Sequence, residues 1–231
     1  MPQVYLIPTI LADGVTETLP AYLLPAVKEC TVFFVENERS ARRFLKSIWK
    51  EMVIDNYTWH IIHKAEEEVL QQFAIHIKKG DIIGIISEAG CPGVADPGQI
   101  LVAKAQELKA IVKPLVGPSS ILLALMASGM NGQAFRFHGY LPIEASERKK
   151  SILMLEEEAI KKGIAQIFIE TPYRNDGLVK DIFQHCKPAT RLCIAADITA
   201  ATESIITRKV QEWKTDIPTL HKRPVIYLLG E

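Results

Sequence analysis

The segment Ser87–Gly98 combines residue types that suit the binding of a polar ligand. It holds three glycines and two prolines within twelve residues, which predicts a rigid loop with exposed backbone N–H groups. A plain connection between a strand and a helix needs only about two to six residues. The length and composition therefore favour a binding loop over a simple connection.

A second segment, Val116–Ser120, is also rich in glycine, proline and serine. It precedes a predicted helix, where Ser119 is well suited to cap the first turn. The hydroxyls and free backbone N–H groups at such a helix start also suit contact with a ligand. Both roles stay open from the residues alone.

Both loops follow predicted strands in an alternating pattern. Apolar and β-branched runs predict strands at Val4–Ile7, Thr31–Val35, Asp81–Ile86 and Ile111–Leu115. Helical periodicity predicts helices at Pro20–Cys30, Ser40–Lys50, Glu66–Lys79, Ile100–Leu108 and Ser120–Ser128. This alternation predicts an α/β fold with a mostly parallel sheet, whose ligands bind beyond the carboxyl ends of the strands.

The second half of the chain has a different pattern. Strands are predicted at Phe135–Gly139, Ala165–Glu170, Leu192–Ala196, Ser204–Thr207 and Val225–Leu229, and helices at Ser151–Lys162, Asn175–Gln184 and Val210–Trp213. Strands that follow one another with few helices favour a mixed sheet. Because Met130–Gln133 interrupts the alternation of strands and helices, we predict two α/β domains, at residues 1–130 and 131–231.

Composition narrows the class of protein. The 231 residues are 48% hydrophobic and carry 27 basic and 27 acidic side chains, which argues against nucleic-acid binding by bulk charge. No apolar run reaches the roughly 18 to 20 residues that span a bilayer, and the start lacks the basic region of a secretory signal. We therefore expect a cytoplasmic protein, without a membrane partner, whose four cysteines are reduced.

Common catalytic and binding motifs are absent from the sequence. There is no G-x-G-x-x-G after a strand, no phosphate-binding G-x-x-x-x-G-K-[ST], and neither H-E-x-x-H nor G-x-S-x-G. No set of His, Cys, Asp and Glu residues has metal-ligand spacing, so no metal is predicted.

Seven segments in order resemble the tetrapyrrole methylase superfamily, which comprises methyltransferases that depend on S-adenosylmethionine. The chain is most similar to the branch of bacterial 16S ribosomal RNA ribose 2′-O-methyltransferases, as a divergent short form. The segments are Tyr5–Thr9, Ser87–Gly98, Gly117–Ser120, Ala127–Met130, Phe135–Pro142, Arg148-Lys149 and Phe168–Arg174.

This resemblance implies two α/β domains with S-adenosylmethionine folded in a cleft between them, and it suggests a homodimer. It also implies which residues contact the cofactor. They are Pro8, Thr9, Leu11, Gly90, Cys91, Pro92, Val94, Ser119, Ser120, Ile169, Glu170, Pro224 and Val225. Backbone groups freed by glycine and proline can bind adenine and carboxylate, while small side chains leave room for a compact ligand.

Methyl transfer to a ribose hydroxyl would benefit from a general base. Candidates are Glu36, Glu88, His63, Glu170 and Asp197, and each also suits a structural or solvated role. Arg39 and Arg174 suit either phosphate binding or pairing with Glu36 and Glu170. We predict Glu36, Glu170 and Arg174 as the catalytic residues.

The chain departs from the ribosomal RNA branch in places that concern the acceptor. The usual Ala-Glu-Asp-Thr-Arg is Val35–Arg39 here, which keeps the Glu and the Arg and loses the Asp. The usual Arg-Glu-Leu-Thr-Lys is Ala196–Ala200, which removes two positive charges. Fewer cations mean fewer phosphate contacts, and phosphates dominate affinity for RNA.

Three hypotheses about function follow. The first is ribose methylation of small-subunit ribosomal RNA, with that RNA or the small ribosomal subunit as partner. The second keeps the small-molecule methyl donor but changes the acceptor to a tetrapyrrole-like or other small molecule. The third is a protein that binds the cofactor without catalysis.

Overall fold

The computed structural model describes residues 2–62 and 66–231, which form two compact units. The first unit is Met1–Ser119 and the second is Ser120–Glu231. Each unit contains one five-stranded sheet, so the predicted α/β class with one parallel and one mixed sheet is confirmed.

The sheet of the first unit is parallel throughout, in the order β3-β2-β4-β1-β5. Its strands are β1 (Gln3–Ile7), β2 (Val32–Val35), β3 (Thr58–Ile61), β4 (Ile82–Ile86) and β5 (Ile111–Pro114). Its helices are α1 (Leu23–Glu29), α2 (Glu38–Ile48), α3 (Glu66–Lys79) and α4 (Gln99–Glu107), with short 3₁₀ turns at Thr16–Thr18 and Ile54–Asn56.

Alternate residues of β1 pack into two cores on opposite faces of this sheet. Tyr5 and Ile7 lie in the core that contains residues of α1 and α2, whereas Val4 lies in the core that contains residues of α3 and α4. Gly84 of β4 allows close packing, because a Cβ there would be 2.7 Å from the Ile7 Cδ1 atom. Helices therefore cover both faces, as the near-continuous apolar strands require.

The directions in which the chain leaves the strands change between β1 and β4. These two strands are neighbours, but the chain leaves β1 towards β2 and leaves β4 towards β5, in opposite directions across the sheet. The connecting helices consequently lie on opposite faces. In open α/β sheets this is the position at which ligands bind, beyond the carboxyl ends of the strands.

The sheet of the second unit has the order β6-β7-β10-β8-β9, and only the β6–β7 pair is parallel. Its strands are β6 (Phe135–Tyr140), β7 (Ala165–Ile169), β8 (Arg191–Ala196), β9 (Ser204–Lys209) and β10 (Val225–Gly230). Its helices are α5 (Ser120–Ser128), α6 (Ala145–Lys162), α7 (Asn175–His185) and α8 (Val210–Trp213).

These strand directions bring four loops to one edge of the second sheet. The carboxyl ends of β6, β7 and β8 lie at the edge where β10 begins. We call residues 140–143, 171–174, 197–203 and 220–224 the loop edge of the second unit. In the same way, residues 8–11, 88–98 and 116–119 form the loop edge of the first unit.

Three local features differ from the sequence expectations. The edge strand β3 was not predicted, because its four residues lack a buried apolar run. Helix α6 begins at Ala145 rather than Ser151, since the Glu144 side chain caps it by accepting the Glu147 N–H at 2.9 Å. The two units divide between Ser119 and Ser120 rather than at residues 130/131, because α5 packs against β9 and β10.

The fully buried Asn175 holds one of the loops at the second loop edge. Its Nδ2 atom donates to the carbonyls of Leu220 at 3.0 Å and Arg223 at 2.8 Å, and its Oδ1 atom accepts from the Tyr227 hydroxyl at 3.0 Å. These three bonds connect the start of α7 to the segment that leads into β10.

Replacing Asn175 with alanine is expected to lower the free energy of unfolding by about 3 kcal/mol, because buried polar groups lose their partners. Equilibrium urea unfolding measures this change. The exposed Asn131, which also makes three hydrogen bonds, is the matched control. An Asn131→Ala loss as large as that of Asn175→Ala would show that burial is not the cause.

Candidate functional site

Three loops meet at the loop edge of the first unit. The Thr9 N–H donates to the Gly90 carbonyl at 2.9 Å, which joins the loop after β1 to the loop after β4. The Thr9 hydroxyl donates to the Ser87 carbonyl at 3.3 Å, and the Ser87 hydroxyl donates to the Gly90 carbonyl at 3.1 Å. The loop after β5 joins them through the Cys91 thiol, which lies 3.5 Å from the Pro118 carbonyl.

Two glycines allow these loops to approach one another. A Cβ atom on Gly117 would lie 2.1 Å from the Pro8 Cβ atom, so no side chain fits there. Gly90 has a φ of +75°, and a Cβ on it would lie 3.2 Å from the Leu11 Cδ2 atom and 3.3 Å from the Pro118 carbonyl. The result is a closely packed loop surface made largely of backbone, as predicted for Ser87–Gly98.

Asp96 organises the second half of the Ser87–Gly98 loop. Its Oδ1 atom accepts the N–H groups of Gly93 at 2.9 Å and Gly98 at 2.6 Å. Ala95 beside it has a φ of +56°, a backbone conformation that non-glycine residues seldom adopt. The carboxylate therefore fixes the turn that leads into α4.

Glu36 lies at the end of β2 and reaches the same loop. Its Oε2 atom accepts the Glu88 N–H at 2.8 Å. Burial raises the pKa of Glu36, the hydrogen bond from Glu88 opposes that rise, and the charges of Asp96 and Glu88 add to it. Glu36 therefore holds a proton at higher pH than an ordinary glutamate, as is common for groups at functional sites.

Glu170 and Arg174 form a fixed pair at the loop edge of the second unit. The buried Glu170 carboxylate accepts through one oxygen from the Thr171 N–H at 2.6 Å and from Arg174 Nε at 2.9 Å and Nη2 at 2.5 Å. Of the two roles left open for Arg174, the structure shows the pairing with Glu170. Glu36, which was the possible partner of Arg39, accepts a hydrogen bond from the Glu88 backbone N–H.

The segment Ala196–Ala200, where the chain departs from the ribosomal RNA branch, is a constrained turn. Asp197 and Thr199 have φ values of +52° and +73°. The Asp197 carboxylate accepts from Arg223 Nε at 2.8 Å and from the Thr202 hydroxyl at 2.9 Å, so this candidate base is engaged. Among the described residues, the buried Thr199 hydroxyl has no hydrogen-bond partner.

The predicted cofactor residues fall into two groups. The first unit brings together Pro8, Thr9, Leu11, Gly90, Cys91, Pro92, Val94 and Ser119. The second unit holds Ser120 at the start of α5, Ile169 and Glu170 at the end of β7, and Pro224 and Val225 at the start of β10. The candidate base His63 lies outside the described residues.

Sequence reasoning did not assign roles to Gly117 and Asp96, although both lie in segments that it singled out. Their importance is a matter of tertiary contact, namely the approach of Gly117 to Pro8 and the two backbone hydrogen bonds of Asp96. The sequence offered two signals for these roles. Gly117 is followed directly by a proline, and Asp96 stands two residues before Gly98.

We also searched the described ranges for metal sites, membrane-spanning helices and reactive cysteines. Within residues 2–62 and 66–231, no three His, Cys, Asp or Glu side chains are grouped so that they could hold a metal ion. No helix in those ranges is long and apolar enough to cross a membrane. The four cysteines are free thiols, and burial raises the pKa of Cys91 in the loop.

The fold is that of the tetrapyrrole methyltransferases. The methyltransferase CobJ matches with a TM-score of 0.62 and 16% identity over 99% of this chain and 93% of that chain. The uroporphyrin-III C-methyltransferase of Thermus thermophilus, solved in complex with S-adenosylhomocysteine, matches with a TM-score of 0.55 and 16% identity over 99% of this chain and 97% of that chain. At such identity the likeness concerns the fold.

In sequence, the chain is similar to proteins named ribosomal RNA small subunit methyltransferase I. The protein of Neisseria meningitidis serogroup A is 29% identical over 65% of this chain and 50% of its own length. That of Vibrio cholerae is 28% identical over 88% and 67%. The resemblance is thus confirmed, although the chain spans about half the length of the first of these relatives. No protein-family model matches the chain.

The strain at Thr199 gives a prediction about stability. Glycine adopts a φ of +73° freely, so Thr199→Gly is expected to raise the free energy of unfolding by about 1 kcal/mol, the relief of strain exceeding the entropic cost of glycine. Urea unfolding measures the change.

Thr219 is the matched control for this variant, because it lies in the same unit and is not among the residues with positive φ. Thr219→Gly is expected to destabilise the protein. Equal losses in both variants would contradict the assignment of strain to Thr199.

Proposed function

We propose that the protein is an S-adenosylmethionine-dependent methyltransferase that acts on a ribose 2′-hydroxyl of small-subunit ribosomal RNA. The sequence likeness to the relatives named for that RNA and the tetrapyrrole methyltransferase fold support this proposal. The observation that carries it is the joined, glycine-lined loop surface at the carboxyl ends of β1, β4 and β5. Such a site suits a compact polar ligand.

The loop edge of the first unit fits the cofactor because Gly90 and Gly117 leave backbone where other residues would place side chains. When bound, S-adenosylmethionine supplies a methyl group activated by a positive sulfonium. We assign the contacts of S-adenosylmethionine to the thirteen residues predicted above. Among them, the buried Pro8 and Thr9 hold the loops together, and the exposed Val94 offers an apolar surface.

Glu36 is the residue that we assign as general base. Its raised pKa makes the Glu36 carboxylate a stronger base than an ordinary glutamate, and its position beside Glu88 suits it to take a proton from an acceptor hydroxyl. The backbone N–H of Glu88 holds the Glu36 Oε2 atom in place.

Glu170 and Arg174 complete the predicted catalytic set in a positioning role. Because the Glu170 carboxylate already accepts three N–H groups, orienting Arg174 and the loop after β7 suits it better than taking a proton. Arg174 keeps a third of its side chain exposed, so its guanidinium remains available to a phosphate.

A small-molecule acceptor is the second candidate function. The carboxylates of Glu36, Glu88 and Asp96 lie near one another at the first loop edge, and they repel phosphates. A tetrapyrrole-like or other small acceptor avoids that repulsion. A protein that binds the cofactor without catalysis is the third candidate, and turnover on any acceptor removes it.

A ribosomal RNA acceptor would place the protein in the cytoplasm, with the small ribosomal subunit as partner. We also propose the homodimer that the resemblance implies.

Transfer of label from methyl-labelled S-adenosylmethionine into an extract of a strain that lacks the protein tests the function. After fractionation, we expect the label in small-subunit RNA. Label confined to protein or small molecules would reject the RNA acceptor, and no label in any fraction would favour binding without catalysis.

Gly90→Ala is expected to weaken S-adenosylmethionine binding at least about tenfold in calorimetry, because the added methyl group crowds Leu11 and Pro118 at the loop surface. Gly80→Ala is the matched control, with a φ of +82° and no atom within 4 Å of the added Cβ. It carries the same backbone strain, so equal losses in both variants would assign the effect to strain alone.

Glu36→Gln is expected to reduce kcat/KM at least about 100-fold and to remove the acidic limb of its pH profile, because an amide cannot take the proton. Glu38→Gln, on the adjacent helix turn, is the control. In Asp96→Asn the loss of a negative charge lowers the pKa of Glu36, so the acidic limb moves to lower pH. An unmoved limb would show that another group titrates.

A further inference from the structure

Two of the three strongly exposed tyrosines in the described ranges lie at the loop edge of the second unit. Tyr140 at the end of β6 is 59% exposed, and Tyr173 in the loop after β7 is 72% exposed. The pairing of β6 with β7 shifts register between Phe137 and Tyr140, and after this shift Tyr140 lies opposite Ile169. Tyrosines normally bury much of their ring, so two open rings at one edge indicate a surface that receives a ligand.

Cationic and aromatic side chains accompany these rings. The His221 ring contacts the Tyr173 ring edge-on, with 6.0 Å between the centroids. The neighbouring Lys222 is exposed and makes no ion pair with any residue that the structure describes. Arg174, one residue after Tyr173, is partly exposed as well.

The backbone fixes this arrangement. The Lys222 N–H donates to the Pro172 carbonyl at 3.0 Å, which joins the loop before β10 to the loop after β7. Asn175 holds the same loop from beneath through the carbonyls of Leu220 and Arg223. Lys222 has a φ of +64°, so a lysine occupies a position that glycine would fill with less strain.

From these observations we infer that Tyr140, Tyr173, His221 and Lys222 form a binding surface for unstacked nucleotides of single-stranded RNA. Open aromatic rings stack on bases of any sequence, and adjacent cations neutralise the phosphates. Tyrosines also occur at protein interfaces, but the exposed Lys222, which is depleted there, favours a ligand that carries phosphates. The inference rests on the proposed RNA acceptor and adds the surface that holds it.

Binding of labelled small-subunit RNA tests the surface. Tyr140→Ala and Tyr173→Ala are each expected to weaken RNA binding about tenfold and to raise KM for RNA, with kcat little changed. Tyr140→Phe and Tyr173→Phe are expected to stay within about twofold of wild type, because phenylalanine keeps the stacking face. S-adenosylmethionine affinity serves as the check that each variant is folded.

The same sheet supplies the controls. Phe135 is 42% exposed at the other end of β6, and Phe135→Ala is expected to leave RNA binding unchanged. Lys222→Asn removes the charge and suits the positive φ, and it is expected to reduce the salt dependence of RNA binding by about 0.7 in logarithmic slope. Lys161→Asn removes one charge from the end of α6, and we expect no change in slope.

Two negative outcomes are distinguishable. If wild type methylates RNA and the alanine variants bind it equally well, the surface is rejected and the proposed function stands. If wild type neither binds nor methylates RNA, both are rejected.

Discussion

The constraint on which the first unit depends is the way in which the chain leaves β1 and β4. The connections from these adjacent parallel strands run in opposite directions across the sheet, and this is where open α/β sheets bind ligands. The loops after the two strands lie side by side, and the bond between Thr9 and Gly90 joins them. Gly90 and Gly117 are consequences of this contact between loops, because a Cβ atom on either would crowd the neighbouring loop.

Charge is distributed differently at the two loop edges. The first carries Glu88 and Asp96 close to Glu36, whose pKa is raised by burial and further by these two charges. The second carries open aromatic rings and Lys222, while Glu170 and Asp197 are paired with arginines and the Glu203 carboxylate accepts the Thr199 N–H. Each edge therefore suits a ligand of a different charge. A net charge of zero conceals this difference.

Most of the fold could be predicted from the sequence because its elements are strongly patterned. The buried apolar runs of β1, β2 and β4 and the full length of α3 were assigned correctly. The predicted elements and boundaries were wrong where contacts between distant residues determine the local structure. β3 is an edge strand without a buried run, and α6 gains its first turns from the Glu144 cap. In the sequence, α5 continues the alternation of strands and helices of the first half. In the structure it belongs to the second unit, because it packs against β9 and β10.

The sequence by itself determined the α/β class, the glycine-rich loop after β4 and the resemblance to methyltransferases. These three features depend on the order of the residues and on their local conformational preferences, and both can be read from a single sequence. Only the tertiary structure decided that Gly117 lies against Pro8, that Glu88 holds Glu36, and that Glu170 and Asp197 are engaged by arginines. It also brought Tyr140 and Tyr173 to one edge. The reason is physical: burial and charge pairing depend on residues far apart in sequence, which come together only when the strands have taken their order.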